Sequence, residues 1–228
     1  MKIVINILLG AAIGLLVYVC VRSILGPMEF DAERAVRESA IQARLIDIRK
    51  AQIEYKNVHG VHAANFEELG KFLKETKLPF VVKEGVLSDA QLEKGLTEKQ
   101  AVSIVEKARK TGKYDDVKKW GLEHFSRDTF WVLAKDTLFS KSYNVDSMAI
   151  VPVHGIDARF LMDTATIPSA SGYTVKVFEC GVKYDTYLKD LDRQLLINLK
   201  DKAIKMGKYD GLRVGSITEI NNNAGNWE

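Results

Sequence analysis

His59 and His62 stand three residues apart, and a His-x-x-His pair on one helical turn could bring two imidazoles to a single metal ion. Gly60 lies between them and breaks such a turn, and no carboxylate or cysteine nearby completes a ligand set. The pair reads as surface turn residues. Ser126-Arg127-Asp128, with His124 just before it, supplies a hydroxyl, an acid and an imidazole. A serine nucleophile needs a sharp elbow and an oxyanion hole, and no Gly-x-Ser-x-Gly surrounds this one. The spacing predicts a capped turn or an Arg–Asp pair ahead of a strand through Trp131. Asp185, Asp190, Asp192 and Asp201 fall on different faces of a predicted helix among Lys189, Arg193, Lys200 and Lys202, which makes a solvated mixed-charge face. Asn221, Asn222, Asn223 and Asn226 offer carbonyl oxygens to a calcium ion, but carboxylates to balance its charge are few. No P-loop, dinucleotide fingerprint, His-Glu-x-x-His or Cys-x-x-Cys occurs. The expectation is a protein that is not an enzyme and takes no cofactor or metal.

The element that must position everything else is at the N-terminus. Ile3 to Val21 is nineteen residues without a charge, IVINILLGAAIGLLVYVCV. At a rise of 1.5 Å per residue it reaches about 28 Å, close to the thickness of a bilayer's hydrocarbon core. A cleaved signal peptide would suit the position, but the run is long for one and ends in Tyr18, Cys20 and Arg22 rather than Ala-x-Ala. Val17-Tyr18-Val19 before Cys20 does not fit lipidation either. Residues 1–22 are therefore read as an uncleaved transmembrane anchor. Lys2 and the α-amine precede it, and Arg22 follows with Glu29, Asp31 and Glu33 beyond. The basic residues lean toward a cytoplasmic N-terminus, and a short N-terminal tail translocates less readily than a long domain led by a signal anchor. The expected location is a bacterial inner membrane, single-pass, with the C-terminal domain in the periplasm. Within the anchor, Gly10 and Gly14 form a Gly-x-x-x-Gly pair with Asn6 one turn earlier, a pattern that lets two helices approach closely. Two readings stay open, self-association into a homo-oligomer or the ordinary abundance of glycine in membrane helices.

Beyond the anchor the soluble part carries 32 basic and 30 acidic side chains, a balance that gives no field to attract nucleic acid. Cys20 lies in the apolar stretch and Cys180 in a predicted strand, so a membrane boundary separates them and both read as small hydrophobes.

Gly26-Pro27 punctuates the chain, and the spacing predicts a second, juxtamembrane amphipathic helix in 23–60, restarting near Asp31. Ile41, Leu45, Ile48, Gln52 and Tyr55 make one stripe on it; Ala32, Val36, Ala40, Ala43 and Ile46 make an adjacent one. Such a wide face serves either its own sheet or copies of itself. Residues 61–228 read as a soluble α+β domain. Ser88-Asp-Ala-Gln91 and Thr97-Glu-Lys-Gln100 are capping boxes, and 88–125 reads as a helical insertion that follows a strand at 79–83. Strands are expected at 130–134, 148–153, 158–162, 173–178 and 212–220, with His154-Gly155-Ile156-Asp157 as a hairpin turn. Leu188, Leu191, Leu195, Leu199, Ala203 and Met206 predict one long helix stopped by Gly207. The expected fold is a transmembrane helix, an amphipathic helix, then an antiparallel sheet with helices packed on it.

The stretch Arg44-Leu-Ile-Asp-Ile-Arg-Lys-Ala-Gln-Ile-Glu-Tyr-Lys-Asn-Val-His-Gly60, followed by Phe66-Glu-Glu-Leu69, resembles the type IV pilin and pseudopilin family in the rhythm of Ala51, Tyr55, Gly60, Phe66 and Leu69. That resemblance implies an apolar helix running on into an amphipathic half that packs on an antiparallel sheet. The family's processing motif is absent before the apolar run, and Gly26-Pro27 would interrupt its continuous helix. The functional expectation is a membrane-anchored component of a cell-envelope assembly working by protein contact, with membrane lipid and other envelope proteins as partners. A membrane-tethered periplasmic ligand-binding or sensor domain is the alternative, and an envelope hydrolase comes third.

Overall fold

The computed structural model describes residues 2–169 and 172–228. The expected anchor begins at Met1, which lies outside them. The chain divides into two compact units, one of Met1–Phe72 with Asn144–Glu228, the other of Leu73–Tyr143. The architecture is mixed helix and antiparallel sheet, led by a long apolar helix.

In the first unit α1 runs unbroken over Lys2–His59, with Pro27 inside it. The expected restart near Asp31 does not occur. Proline removes one N–H and crowds the carbonyl four residues back, at a cost of about 3 kcal/mol, and twenty or more good helical residues on each side outweigh that single defect. The eighteen-residue window of highest mean hydropathy, 2.6, is entirely unburied. By length and composition this helix is able to cross a membrane.

The second half of α1 is a core helix. Ile41, Leu45, Ile48 and Ala51 are completely buried, and each large apolar side chain so placed contributes about 2 kcal/mol. They pack against a three-stranded antiparallel sheet of β3 (Leu161–Pro168), β4 (Thr174–Lys183) and β5 (Gly211–Gly215), in the order β3-β4-β5. As the central strand β4 buries Val177, Phe178, Cys180 and Val182. The stripe's one polar member, Gln52, is also fully buried. It is satisfied as a clasp, with Nε2 donating to the Ala63 carbonyl at 3.0 Å and Oε1 accepting from the Ala63 N–H at 2.9 Å. Gly215, at φ +73°, lies so close to β4 that a Cβ would fall 2.1 Å from the Phe178 carbonyl oxygen. Only glycine fits there.

The second unit is built on a two-stranded antiparallel ribbon. β1 (Lys77–Glu84) pairs along its full length with β2 (Ser126–Leu133), from Lys77 opposite Leu133 to Glu84 opposite Ser126. The expected single sheet is thus two separate sheets. Between these strands run α3 (Asp89–Glu93), α4 (Glu98–Thr111) and α5 (Asp115–Lys119), and α6 (Ala134–Leu138) follows β2. The 88–125 segment lies inside this unit. Its core is Leu96, Ala101, Ala108, Val117, Leu122 and Phe125. Thr97 and Gln100 close the α4 capping box, with the Thr97 N–H donating to Gln100 Oε1 at 2.9 Å and the Gln100 N–H to Thr97 Oγ1 at 3.3 Å. Gly112 ends α4 in the left-handed conformation.

Two further expectations change. The 148–153 segment is not a strand; Met148, Ala149, Val151 and Val153 are buried, but only an isolated bridge of Ile150 with Arg159 forms around the turn at His154-Gly155. The helix predicted from Leu188 begins only at Arg193, as α8 (Arg193–Lys205), and a separate short helix, α7 (Tyr184–Tyr187), precedes it. Asp192 accepts from the N–H groups of Gln194 at 2.9 Å and Leu195 at 3.0 Å, so the helix starts after it.

Candidate functional site

Along α1, Arg34, Glu38 and Gln42 recur every fourth residue and so share one face of the helix. This polar face borders a cleft of about 360 Å³ in the first unit. Tyr184 of α7, Ala203 of α8 and Leu212 of β5 are its buried apolar residues. Lys202 of α8 and Lys208, just after it, stand at the rim, and Tyr209 and Trp227 add aromatic walls.

The wall at Trp227 is fixed by the C-terminal segment. Asn226 acts as an added strand residue, its Oδ1 accepting from the Arg213 N–H at 3.0 Å and its Nδ2 donating to the Gly211 carbonyl at 2.9 Å. The Asn226 N–H donates to the Arg213 carbonyl at 3.0 Å. The indole lies flat enough on Gly225 that a Cβ there would come within 2.5 Å of the ring. Arg49 also pairs with Glu228 at 2.7 Å.

On the α1 side a polar cluster holds the helix to α7. Arg34 Nε donates to Glu38 Oε1 at 2.7 Å, and the Tyr187 hydroxyl donates to the same oxygen at 2.9 Å. The Arg37 guanidinium, 9% exposed, grips Asp190 bidentately at 2.6 and 2.8 Å and donates to the Tyr187 carbonyl at 2.7 Å. Arg37 holds the Asp190 carboxyl below its usual range. Burial, then Glu38, pushes the Tyr187 hydroxyl upward, so it stays a neutral donor. Tyr209 is pushed up to about 12 by burial, with Glu179 and Asp210 adding to it. The side chains of the cluster are engaged with one another.

The sequence-predicted residues fall elsewhere. Asn6, Gly10 and Gly14 lie on the exposed apolar half of α1, with nothing within 4 Å of a Cβ on either glycine. His59 ends that helix exposed, stacked on Tyr55 with ring centroids 4.3 Å apart. His62 is not the surface residue its neighbours suggest. It is 6% exposed, packed by the Phe178 ring at 4.8 Å, and neither ring nitrogen has a hydrogen-bond partner. Burial and then the Lys56 charge lower its pKa to about 4. The two histidines thus occupy opposite environments, and among the described residues no cluster of three His, Cys, Asp or Glu side chains is arranged for a metal.

Ser126 is buried and donates its hydroxyl to Asp128 Oδ2 at 2.6 Å; Asp128 in turn pairs with Arg109. That hydrogen bond and ion pair hold the Asp128 carboxyl below its usual range, which makes it a poor base for activating the serine. Arg127 pairs instead with Glu98 at 2.7 Å and lies over the Phe125 ring at 4.2 Å. His124 is exposed. The aspartates Asp185, Asp190 and Asp192 divide into an ion pair with Lys200, the Arg37 clamp and the α8 cap, while Asp201 is exposed. Asn222 and Asn223 adopt left-handed backbone, at φ 54° and 59°, and Asn226 spends its amide on β5. Cys20 and Cys180 are both free; burial pushes the Cys180 thiol far up and leaves it unreactive.

The cleft was not anticipated. Its local signal, Arg34-x-x-x-Glu38-x-x-x-Gln42 beside an apolar stripe, reads equally as a solvated helix edge, and its other walls come from Tyr184 onward, far away in sequence. No known protein family, curated protein or solved structure matches the chain.

Proposed function

We propose that the protein is a membrane-anchored, non-enzymatic component of a bacterial cell-envelope assembly, with its folded part on the periplasmic side. The observation that supports this reading is α1 itself. One helix supplies both the apolar segment and the central core helix of the first unit, so a force or displacement at the membrane passes directly into the fold. The same layout is what a resemblance to pilins and pseudopilins implies.

The partner surface we assign is a seam for a second copy of the chain. At 3.6 residues per turn, Ala32 lies five whole turns beyond Gly14, on the same side of the helix. Ala32, Ala35, Val36, Ser39 and Ala43 are exposed on that side, and Val36 is 68% exposed. Ile41, Leu45 and Ile48 point the opposite way, into the core. The face begun by Gly10 and Gly14 therefore continues past Pro27 as a run of small residues, ending near Lys50. Within the anchor, where water does not drive association, small residues let helix backbones approach, and the small side chains beyond it leave room for the same close pairing to continue.

Cysteine crosslinking in membranes tests this on a Cys20→Ser background. Val36→Cys is expected to give a disulfide dimer, and Glu33→Cys, on the flank, is not. Gly14→Ile is expected to abolish the Val36→Cys dimer. No dimer, or one indifferent to Gly14→Ile, overturns the seam. In intact cells Glu33→Cys should react with a membrane-impermeant maleimide; protection there overturns the periplasmic placement.

The cleft of the first unit supports a second reading, a membrane-tethered ligand-binding domain. A concavity of this size with an apolar floor and polar rim is the form such sites take.

A further inference from the structure

The cleft also carries information about what it would hold, and this step rests on the ligand-binding reading. Its charges do not balance. Arg34 and Glu38 neutralise one another as a hydrogen-bonded pair at 2.7 Å. Lys202 and Lys208 have no carboxylate partner among the described residues, although the neighbouring Lys200 and Lys183 are both paired, with Asp185 and Asp210. Two ammonium groups therefore stand unmatched at the mouth of one concavity.

Tyr184, Tyr209 and Trp227 line the same cleft. Tyr184 is 9% exposed and carries the Arg34 guanidinium over its ring at 5.7 Å. Tyr209 is backed in the same manner by Arg213 at 5.1 Å. Trp227 completes the wall, and the chain invests three hydrogen bonds from Asn226 and a glycine at 225 in holding that indole in place. Fixing a large ring against an open cleft is preorganisation, since it removes the ordering cost from the binding step.

We infer that the cleft binds a small organic anion, a phosphate or carboxylate carried on a flat apolar ring, with the ring against Trp227 and the anion at Lys202 and Lys208. Gln42, on α1, has no partner among the described residues and supplies a neutral donor at the third side. A volume near 360 Å³ limits the ligand to one or two rings.

Phenyl phosphate is the probe, titrated calorimetrically into the full chain in nanodiscs of neutral lipid, against empty nanodiscs. Saturable binding is expected, weakening with added salt and about fivefold weaker in the Lys202→Gln, Lys208→Gln double variant, since two exposed charge contacts are worth about 1 kcal/mol together. Both lysines are exposed, so the variant keeps its fold, which circular dichroism verifies. Trp227 fluorescence should change on binding, and Trp227→Phe should abolish the change. Inorganic phosphate alone should bind more weakly than phenyl phosphate. If benzyl alcohol binds as tightly as phenyl phosphate, or the double variant binds unchanged, the anionic class is wrong while a ligand site survives. If neither compound gives saturable binding up to tens of millimolar, the inference and the ligand-binding reading both fall.

Discussion

The two units bury their helices differently. In the first, α1 places Ile41, Leu45 and Ile48 at zero exposure against a three-stranded sheet, with Phe178, Tyr187 and Leu188 fully enclosed around them. In the second, α4 buries only two alanines, Ala101 and Ala108, and the large aromatics of its ribbon, Phe80, Phe130 and Trp131, are each more than half exposed. A two-stranded ribbon is marginal alone, because each strand has one partner and neither face is covered on both sides. The second unit compensates locally, through capping boxes, a glycine stop and the Arg127 bridge from Glu98 to the Glu84 and Gly85 carbonyls at 2.8 and 3.1 Å. Stability in the first unit comes from large buried side chains and in the second from small local devices. The same type of substitution should therefore have different consequences in each.

The largest effect is expected at Leu45. Leu45→Ala leaves a cavity under a rigid helix and sheet, and the loss is about 3 kcal/mol. The tryptophans make the readout unit-specific, since Trp227 lies in the first unit and Trp120 and Trp131 in the second. With Trp120 and Trp131 replaced by phenylalanine, the urea midpoint of Trp227 should fall clearly in Leu45→Ala. An unchanged midpoint would deny this stripe its central place.

A smaller effect separates the units by pH. His62 is neutral in the folded state down to about pH 4, whereas the unfolded chain takes up that proton near pH 6.5. Between those values the unfolded state binds more protons, so stability falls as pH falls, starting near 6.5 and levelling off below about 4. Lys56 opposes protonation, and Lys176 lines the same small cavity beside the ring. The loss from pH 7 to pH 4.5 is about 2 kcal/mol. Asp190 and Asp128 are held below their usual range, so their ion pairs survive over this window. Denaturation of the first unit at stepped pH should show the slope, and His62→Leu should flatten it. A slope that persists in His62→Leu places its origin elsewhere.

What could be read in advance follows the range of the forces involved. The α1 stripe, both capping boxes and the stops at Gly112 and Gly207 are local, each set by a few residues, and each is found where its pattern lies. The strands at 79–83, 130–134 and 173–178 also fall on observed strands, except that Ala134 already opens α6 and Tyr173 stands just before β4. Pairing is a long-range matter, and no local pattern told that β1 and β2 would close a ribbon apart from the other three strands. The apolar run at 148–153 illustrates the limit. Its side chains are buried as foreseen for a strand, but the backbone finds only one bridging partner, so burial was legible and hydrogen bonding was not. His62 was misread for the same reason, since the Phe178 ring that covers it comes from β4. The cleft combines α1 with the C-terminal segment and could not be assembled from spacing at all.

The smallest effect is the most direct test of the idea that local devices hold the second unit. Thr97 contributes two things to α4: its hydroxyl accepts the Gln100 N–H, and its own N–H is engaged by the Gln100 side chain. Thr97→Ala removes the first and leaves the second, because the backbone donor remains. Caps of this kind are worth about 1 kcal/mol, so the helix start should fray without unfolding the ribbon. In the first unit a comparable cap, Asp192, starts α8, which buries Leu196 as well as Ala203. Hydrogen exchange resolves the difference. Thr97→Ala should speed exchange throughout α4 about fivefold, since the helix itself fully buries only Ala101 and Ala108, whereas Asp192→Ala should affect only the first turn of α8, where Leu196 is buried just beyond the cap. Equal, local responses in both helices would mean that α4, which buries two alanines, is as secure as α8, which buries Leu196 and Ala203, and that the contrast between the units lies only in the size of their side chains.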